Sequence, residues 1–257
     1  MQAFLTIAVR AARKAGDYII RESDKIRSVQ NKSPGDYVTN VDQTAEAIII
    51  DTIKHSYSDH SFLGEESGQS GSSDYQWVID PIDGTSNYIQ QIPHWAISIA
   101  CKHKNRTEIG LVFDPVRDEL FTAVRGGGAQ LNGRRIRVGS SNGLENGLLA
   151  TGFPFRHKSR IDDYLDIFKR LFPHCADMRR AGSAALDLAY VASGRIDGFW
   201  EYDLNEWDTA AGALLVHEAG GMISDFKGNP DFASSDSILA ANPKTFKGML
   251  KAINQRV

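Results

Sequence analysis

Asp80 and Asp83 lie in the run Trp77-Val78-Ile79-Asp80-Pro81-Ile82-Asp83-Gly84-Thr85-Ser86-Asn87, directly behind three apolar residues. If Val78 and Ile79 end a strand, Pro81 sets the backbone direction and Asp83 returns to the side of Asp80 after Ile82, so two carboxylates converge. Gly84 to Asn87 then form a turn opening a short helix, whose free backbone N–H groups and positive dipole end favour an anion such as phosphate. Acids beside an anion site repel it unless divalent cations lie between them. That is the arrangement of metal-assisted phosphate hydrolysis, in which paired ions supply a hydroxide and stabilise the leaving oxygen. No His or Cys accompanies these acids, so oxygen-only ligation points to a hard ion, Mg²⁺ before Mn²⁺. The same stretch also reads as an ordinary turn, because Asp-Pro and Asp-Gly are common turn dipeptides.

Two distant features bear on that choice. Glu65 and Glu66 follow the short apolar segment Phe62-Leu63-Gly64, and Asp208 falls in the first turn of a helix, where the dipole is expected to keep it ionised. Taken singly, a Glu-Glu pair also reads as solvated surface, and an acid in a first helical turn as a cap. Other chemistries fail on spacing. An EF-hand beginning at Asp80 would need a ligand at Ile82 and an acid at Gln91. The acids miss the Asp-x-Asp-x-Thr spacing of an aspartyl nucleophile. His217-Glu218 runs into Ala219-Gly220-Gly221 rather than a second zinc ligand, and Leu131 occupies the third glycine position of a dinucleotide loop.

The elements that must carry these residues follow from periodicity. Phe4, Ile7, Ala8, Ala11, Ala15, Tyr18 and Ile19 recur at helical steps. Residues 31–37 read as a turn-rich loop, Thr39 or Asn40 as the cap of a second helix, and residues 67–74 as a flexible Ser/Gly connection. From Trp95 to Val138 short apolar runs and an Asn132-Gly133 hairpin signal predict an antiparallel sheet. Beyond residue 145 strands and helices alternate. These include a helix with Ile161, Leu165, Phe168 and Phe172 stopped by Pro173, one closed by Gly194, one over about Trp207 to Ala219, and a last one capped by Asn242. The order predicts a mixed α/β protein in two closely packed halves, an α+β half over 1–145 and an α/β half over 146–257.

Composition sets outer bounds. The chain has 257 residues, 42% of them hydrophobic and 24% charged, which suits an ordinary globular protein with a sizeable core. A net charge of −3 gives no electrostatic reason to expect nucleic acid as the main ligand. Cys101 and Cys175 have neither zinc-site nor disulfide-framework spacing, which favours a reducing, cytoplasmic setting. Arg10, Arg13 and Lys14 interrupt the N-terminal apolar stretch, so no signal peptide is expected, and no run approaches membrane-spanning length.

Three separated motifs, Gly64-Glu65-Glu66-Ser67, residues 77–87 and residues 206–221, together resemble the inositol monophosphatase family in order and approximate spacing. The likeness extends from residues 36–42 to 240–243, and residues 150–155 and 179–199 are similar to its bacterial branch. The resemblance implies a layered α/β/α/β/α sandwich. It implies that Glu65, Asp80, the Ile82 carbonyl, Asp83 and Asp208 bind two or three Mg²⁺ ions, with Mn²⁺ a possible substitute. Glu65 and Thr85 would position the attacking water, Asp42 would hold Thr85, and the phosphate would lie over the amides of Gly84 and Thr85. Substrate contacts would come from Asp83, Gly182, Ser183, Ala184, Glu201 and Asp208. The implied reaction is hydrolysis of a phosphate monoester, first of all myo-inositol 1-phosphate, by a metal-activated water without a phosphoenzyme. Fructose 1,6-bisphosphate and adenosine 3',5'-bisphosphate are the alternative substrates, for whose second phosphate Arg156, Lys158, Arg179 and Arg180 offer cations. Ser86 and Tyr88 depart from the family's usual threonine and phenylalanine while keeping hydroxyl and shape, and Asp203 and Glu206 make the segment around Glu201 unusually acidic. The resemblance further implies a homodimer and, for its bacterial branch, an additional role with the transcription machinery on ribosomal RNA. The basic segments 125–138 and 156–160 suit that role, and equally suit solvated surface.

Overall fold

The computed structural model describes residues 1–23, 29–33 and 36–255. The N-terminal stripe forms helix α1 (Gln2–Glu22), burying Ile7, Ala8, Ala11, Ala15 and Ile19. Strands β1 (Val29–Ser33) and β2 (Asp36–Thr39) pair antiparallel where a loop over 31–37 is expected, and positions 34–35 of that loop lie outside the described residues. Thr39 caps α2 (Asn40–Lys54) reciprocally. Its Oγ1 accepts from the Val41 N–H at 3.0 Å, and Asp42 Oδ2 accepts from the Thr39 N–H at 2.9 Å.

An eight-stranded sheet follows. It comprises β3 (Ser61–Gly64), β4 (Gly68–Ser70), β5 (Tyr75–Asp83), β6 (Ala96–His103), β7 (Arg106–Asp114), β8 (Glu119–Val124), β9 (Gly128–Leu131) and β10 (Arg134–Arg135), in the spatial order β10-β9-β8-β7-β6-β5-β3-β4. All neighbours pair antiparallel except β3 with β5. The five-residue helix α3 (Thr85–Ile89) leaves the end of β5. Asn132 and Gly133, at φ 48° and 76°, make the expected hairpin turn between β9 and β10. The Ser/Gly connection is not a loop throughout, because Gly68–Ser70 pairs with β3 as an edge strand. Backbone groups form such a ladder whatever side chains they carry, so composition alone misleads there.

The second half contributes β11 (Leu148–Thr151), α4 (Ile161–Leu171), β12 (Asp177–Arg179), α5 (Ala184–Ala192), β13 (Gly198–Tyr202), α6 (Glu206–Glu218), β14 (Met222–Ser224), β15 (Ser237–Ala241) and α7 (Pro243–Asn254). Its sheet has the order β12-β11-β13-β15-β14, parallel among the first three strands and antiparallel at β15.

Side-chain alternation sets the stacking of layers. On β5, Trp77 and Ile79 face a core shared with α1 and α2, whereas Val78 faces the opposite core with α5 and α6. Phe199 of β13 and Ala240 of β15 close that second core from the smaller sheet. Helices α4 and α7 cover the far side of the smaller sheet over Leu149, Trp200 and Leu239. The result is the layered α/β/α/β/α sandwich. Close approach of α6 requires Gly110 on β7, where a Cβ would lie 2.7 Å from the Ala211 carbonyl oxygen. On the outermost helix, α4, the face turned inward is Tyr164, Ile167 and Leu171. Of the apolar stripe picked out by periodicity, Ile161, Leu165 and Phe172 point outward, exposed by 42%, 38% and 47%, while Phe168 packs partly on the core.

Candidate active site

Asp80 and Asp83 are an odd number of positions apart, which in a regular strand would send them to opposite faces of the sheet. They avoid this because β5 bulges between them. Asp80 pairs with Ser98 and Asp83 with Ala96, so three steps on β5 oppose two on β6. Pro81, which has no N–H for a ladder bond, sits in the bulge inside a central strand. The Asp80 carboxylate satisfies the next backbone donor instead, accepting from the Ile82 N–H at 2.9 Å.

The third acid arrives from the helix layer between the sheets. Asp208 Oδ2 accepts from the Asn205 N–H at 2.7 Å, closing the first turn of α6. Cap and site residue are therefore one side chain. That turn is tied to β6, the strand beside Asp80, because Ser98 Oγ donates to the Trp207 carbonyl at 3.0 Å and Lys102 pairs with Glu206. Oxygens of Asp80, Asp83 and Asp208 consequently lie within 4.8 Å of one another. Glu65 joins them from the turn after β3, where its N–H donates to the Ile79 carbonyl at 3.0 Å and its carboxyl hydrogen-bonds Asp80. Glu46 of α2, buried beneath that turn, accepts from the N–H groups of Glu66 and Ser67 at 2.9 Å each and so fixes its path.

Beside the acids, Thr85 Oγ1 lies 3.1 Å from Asp42 Oδ1 and 3.0 Å from the Ile82 carbonyl oxygen. Its hydroxyl hydrogen is committed to these acceptors, which leaves its oxygen able to accept, and Thr85 lines the cleft. Gly84 precedes it at φ 103°, and a Cβ there would lie 3.1 Å from the Gly182 carbonyl oxygen, so only glycine fits where the two segments meet. Across the cleft, Asp83 Oδ2 accepts from Ser183 Oγ at 2.6 Å and the Ala185 N–H at 2.7 Å. Asn87 Nδ2 donates to the Ala181 carbonyl at 2.9 Å, holding that segment against α3. Gly182, Ser183, Ala184 and Glu201 all line the cleft. The expected metal ligands, water-positioning residues and substrate contacts are thus brought to one cavity or, for Asp42, to the hydroxyl lining it.

The cluster is only partly compensated, by Arg156 beside Asp208. Burial, then the charges of Glu65, Asp83 and Asp208, hold the Asp80 carboxyl well above the ordinary carboxylate range. Burial lifts Asp83 to about 6 against its hydrogen bonds from Ser183 and Ala185. Asp208 rises to about 7, again through burial, opposed by Arg156 Nη1 at 3.6 Å. The helix dipole therefore does not keep Asp208 in the ordinary range as expected, because desolvation outweighs it. An all-oxygen donor set, buried and mutually repelling, fits hard divalent cations, whose charge would offset the repulsion.

Of the cations that the sequence offers near the site, Arg156 and Arg180 line the cleft, whereas Arg179 pairs with Asp177 at the surface. Asp187 enters the cleft from α5, and its only signal is a lone acid in the otherwise apolar run Ala184 to Ala192. Asp203 and Glu206, by contrast, do not belong to it: Arg160 Nη1 holds Asp203 at 2.7 Å, and Glu206 turns to Lys102.

A model describing the inositol monophosphatase family matches residues 1–257. The chain is 54% identical over 254 residues to the Nus factor SuhB of Salmonella typhimurium, covering 97% of this chain and 95% of that protein. The crystal structure of extragenic suppressor protein suhB from Bartonella henselae superposes with a TM-score of 0.96 at 39% identity, covering 99% of this chain and 100% of that one. The inositol monophosphatase of Anabaena (Nostoc) gives 0.89 at 37% identity, with 98% and 95% covered. A match along the full chain, joined to a shared sandwich, makes this protein a member of the inositol monophosphatase family.

Proposed function

We propose that this protein is a Mg²⁺-dependent phosphatase that hydrolyses a phosphate monoester, with myo-inositol 1-phosphate the first substrate to assign. The observation that carries the reading is the convergence of Asp80, Asp83 and Asp208 beside Thr85 and Glu65. Glu65, Asp80, the Ile82 carbonyl, Asp83 and Asp208 would hold two or three Mg²⁺ ions, with Mn²⁺ a possible substitute. Such ions, when bound, supply Lewis-acid stabilisation of the phosphoryl oxygens and lower the pKa of water. The residues do the rest. Thr85 Oγ1, its hydrogen held by Asp42 and the Ile82 carbonyl, accepts a hydrogen bond from the attacking water, and the Glu65 carboxylate takes up a proton from it. The amides of Gly84 and Thr85 receive the phosphate; α3 is too short for a large dipole, so the N–H groups themselves matter. Water oxygen bonds to phosphorus as the ester P–O bond breaks, and the leaving oxygen departs as the alcohol with a proton taken from solvent, which is replaced by the one Glu65 took up, with no phosphorylated side chain.

Asp80→Asn and Asp83→Asn should each lose turnover and Mg²⁺-induced thermal stabilisation while keeping the circular dichroism of the fold. Wild-type turnover in either would overturn the assignment. A panel of myo-inositol 1-phosphate, fructose 1,6-bisphosphate and adenosine 3',5'-bisphosphate assigns the substrate. The two halves, 1–145 and 146–257, act as one unit, since the first would supply Glu65, Asp80 and Asp83 and the second Asp208 and the substrate contacts. The outward apolar stripe of α4 supports a homodimer through that face. Unpaired Cys101 and Cys175 support a cytoplasmic setting, and no helix is long and apolar enough to cross a membrane among the described residues. A relative bearing the name Nus factor favours a second reading, an additional role as a partner of the transcription machinery. RNA or polymerase-complex binding that survives loss of the acids would support it.

A further inference from the structure

Arg156 stands on the segment between β11 and α4 that borders the cleft, and its Nη1 lies 3.6 Å from Asp208 Oδ2, the oxygen that already accepts from the Asn205 N–H at 2.7 Å. At that range the contact is one of charge rather than a hydrogen bond. Both side chains are withdrawn from solvent, 20% exposed for Arg156 and 6% for Asp208, so salt screens the attraction little. The guanidinium also lies over the Phe155 ring, 4.8 Å from its centroid. The far end of the segment is fixed. Arg160 Nη1 and Nη2 reach Asp203 and Asp236 at 2.7 Å each, and the same guanidinium lies over Tyr202. Asp203, near Glu201 in sequence, thereby holds the segment that presents Arg156. The other arginine of the cleft, Arg180, acts instead on Asp187 and Glu201. A divalent ion held by Asp80, Asp83 and Asp208 would therefore share one of its ligands with a fixed positive charge, and the two cations would repel.

We propose that Arg156 is a built-in counter-charge for Asp208, which stabilises the site while it holds no metal and weakens its grip on the ion that Asp208 binds. This rests on the metal-dependent reading of the site. One guanidinium then acts with opposite sign on two quantities, so its removal lowers metal-free stability and raises ion affinity. Damage to the fold would lower both.

The test strips wild type, Arg156→Gln and Arg156→Lys of metal with EDTA, then titrates each with Mg²⁺ in thermal melts and with Mn²⁺ by electron paramagnetic resonance of the free ion. The buffer contains neither phosphate nor ester, which removes any contact of Arg156 with a substrate and leaves only its effect on the ion. Arg156→Gln should melt lower than wild type in EDTA at pH 8 and yet bind ions more tightly. Its Mg²⁺ midpoint and Mn²⁺ dissociation constant should fall about tenfold or more, the scale on which a unit charge acts on a divalent ion in a partly buried site. Arg156→Lys keeps the charge, and since the contact is not a bidentate hydrogen bond it should stay close to wild type. A midpoint unmoved or raised in Arg156→Gln, or lowered equally in Arg156→Lys, would overturn the proposal and leave the metal reading standing. Binding of neither ion by any of the three proteins would refute the metal reading, and the proposal with it.

Discussion

Replacing Asp208 by Asn should make the metal-free protein more stable while removing its response to Mg²⁺. Asp208 is 4% exposed, and its carboxyl stands at about 7 against an ordinary 3.8. Between those values the folded chain holds a proton that the unfolded chain has released, so metal-free stability falls as pH rises through that window, with the full cost present above about 7. At ~1.4 kcal/mol per pH unit the cost reaches about 4 kcal/mol as an upper bound. Asparagine removes it and can still accept from the Asn205 N–H, but forfeits the attraction of Arg156, which leaves a net gain of roughly 1–3 kcal/mol. For a chain of this length that raises Tm by roughly 3–10 °C. Thermal melts in EDTA should show the gain at pH 8 and a shrinking one as pH falls toward 4. In saturating Mg²⁺ the order should invert, wild type rising and Asp208→Asn following little, with turnover lost. A lower Tm for Asp208→Asn in EDTA at pH 8, or a wild-type Mg²⁺ response, would refute the view that these acids trade stability for an ion.

Two further outcomes follow from groups behind the cleft. Glu46→Ala removes the acceptor of the Glu66 and Ser67 N–H groups, and should cost about 2–3 kcal/mol in urea denaturation and weaken Mg²⁺ binding, read as a shifted Mg²⁺ midpoint in thermal melts. Gly152→Ala displaces the Glu201 carboxylate, and should raise KM for myo-inositol 1-phosphate about tenfold or more with the Mg²⁺-induced Tm increment retained.

What the sequence discloses and what it hides divide along physical lines. Periodic signals survive folding because burial enforces them, so α1, the antiparallel run β6 to β10 and the Asn242 cap of α7 stand close to where pattern places them. Periodicity cannot say which of two apolar faces is inward, and on α4 the stripe Ile161, Leu165 and Phe172 is the outward one. Nor can polarity exclude an edge strand, as Gly68–Ser70 shows. At the site, Asp80 and Asp83 are legible because the local chain brings them together. Asp203 and Glu206 mislead because nearness in sequence to Glu201 says nothing of which way each side chain leaves the backbone. Arg160 and Lys102, remote in sequence, decide that. Asp187 and Glu46 are recoverable only by asking why a helix buries an acid.

The bulge in β5 gives the spacing of the acid pair a cause separate from chemistry. Parity along a pleated ribbon admits only even gaps between side chains sharing a side, and one supernumerary residue converts an odd gap into an even one. Shortening the Pro81-Ile82 link by a single residue would restore regular pleating with an even gap and keep both carboxylates on one side, whereas lengthening it by one regular residue would turn one carboxylate toward the layer of α1 and α2, where aliphatic neighbours offer it nothing. The segment can therefore exchange side chains more readily than it can grow, and a one-residue insertion there should be lethal to the site even when the sheet itself survives it.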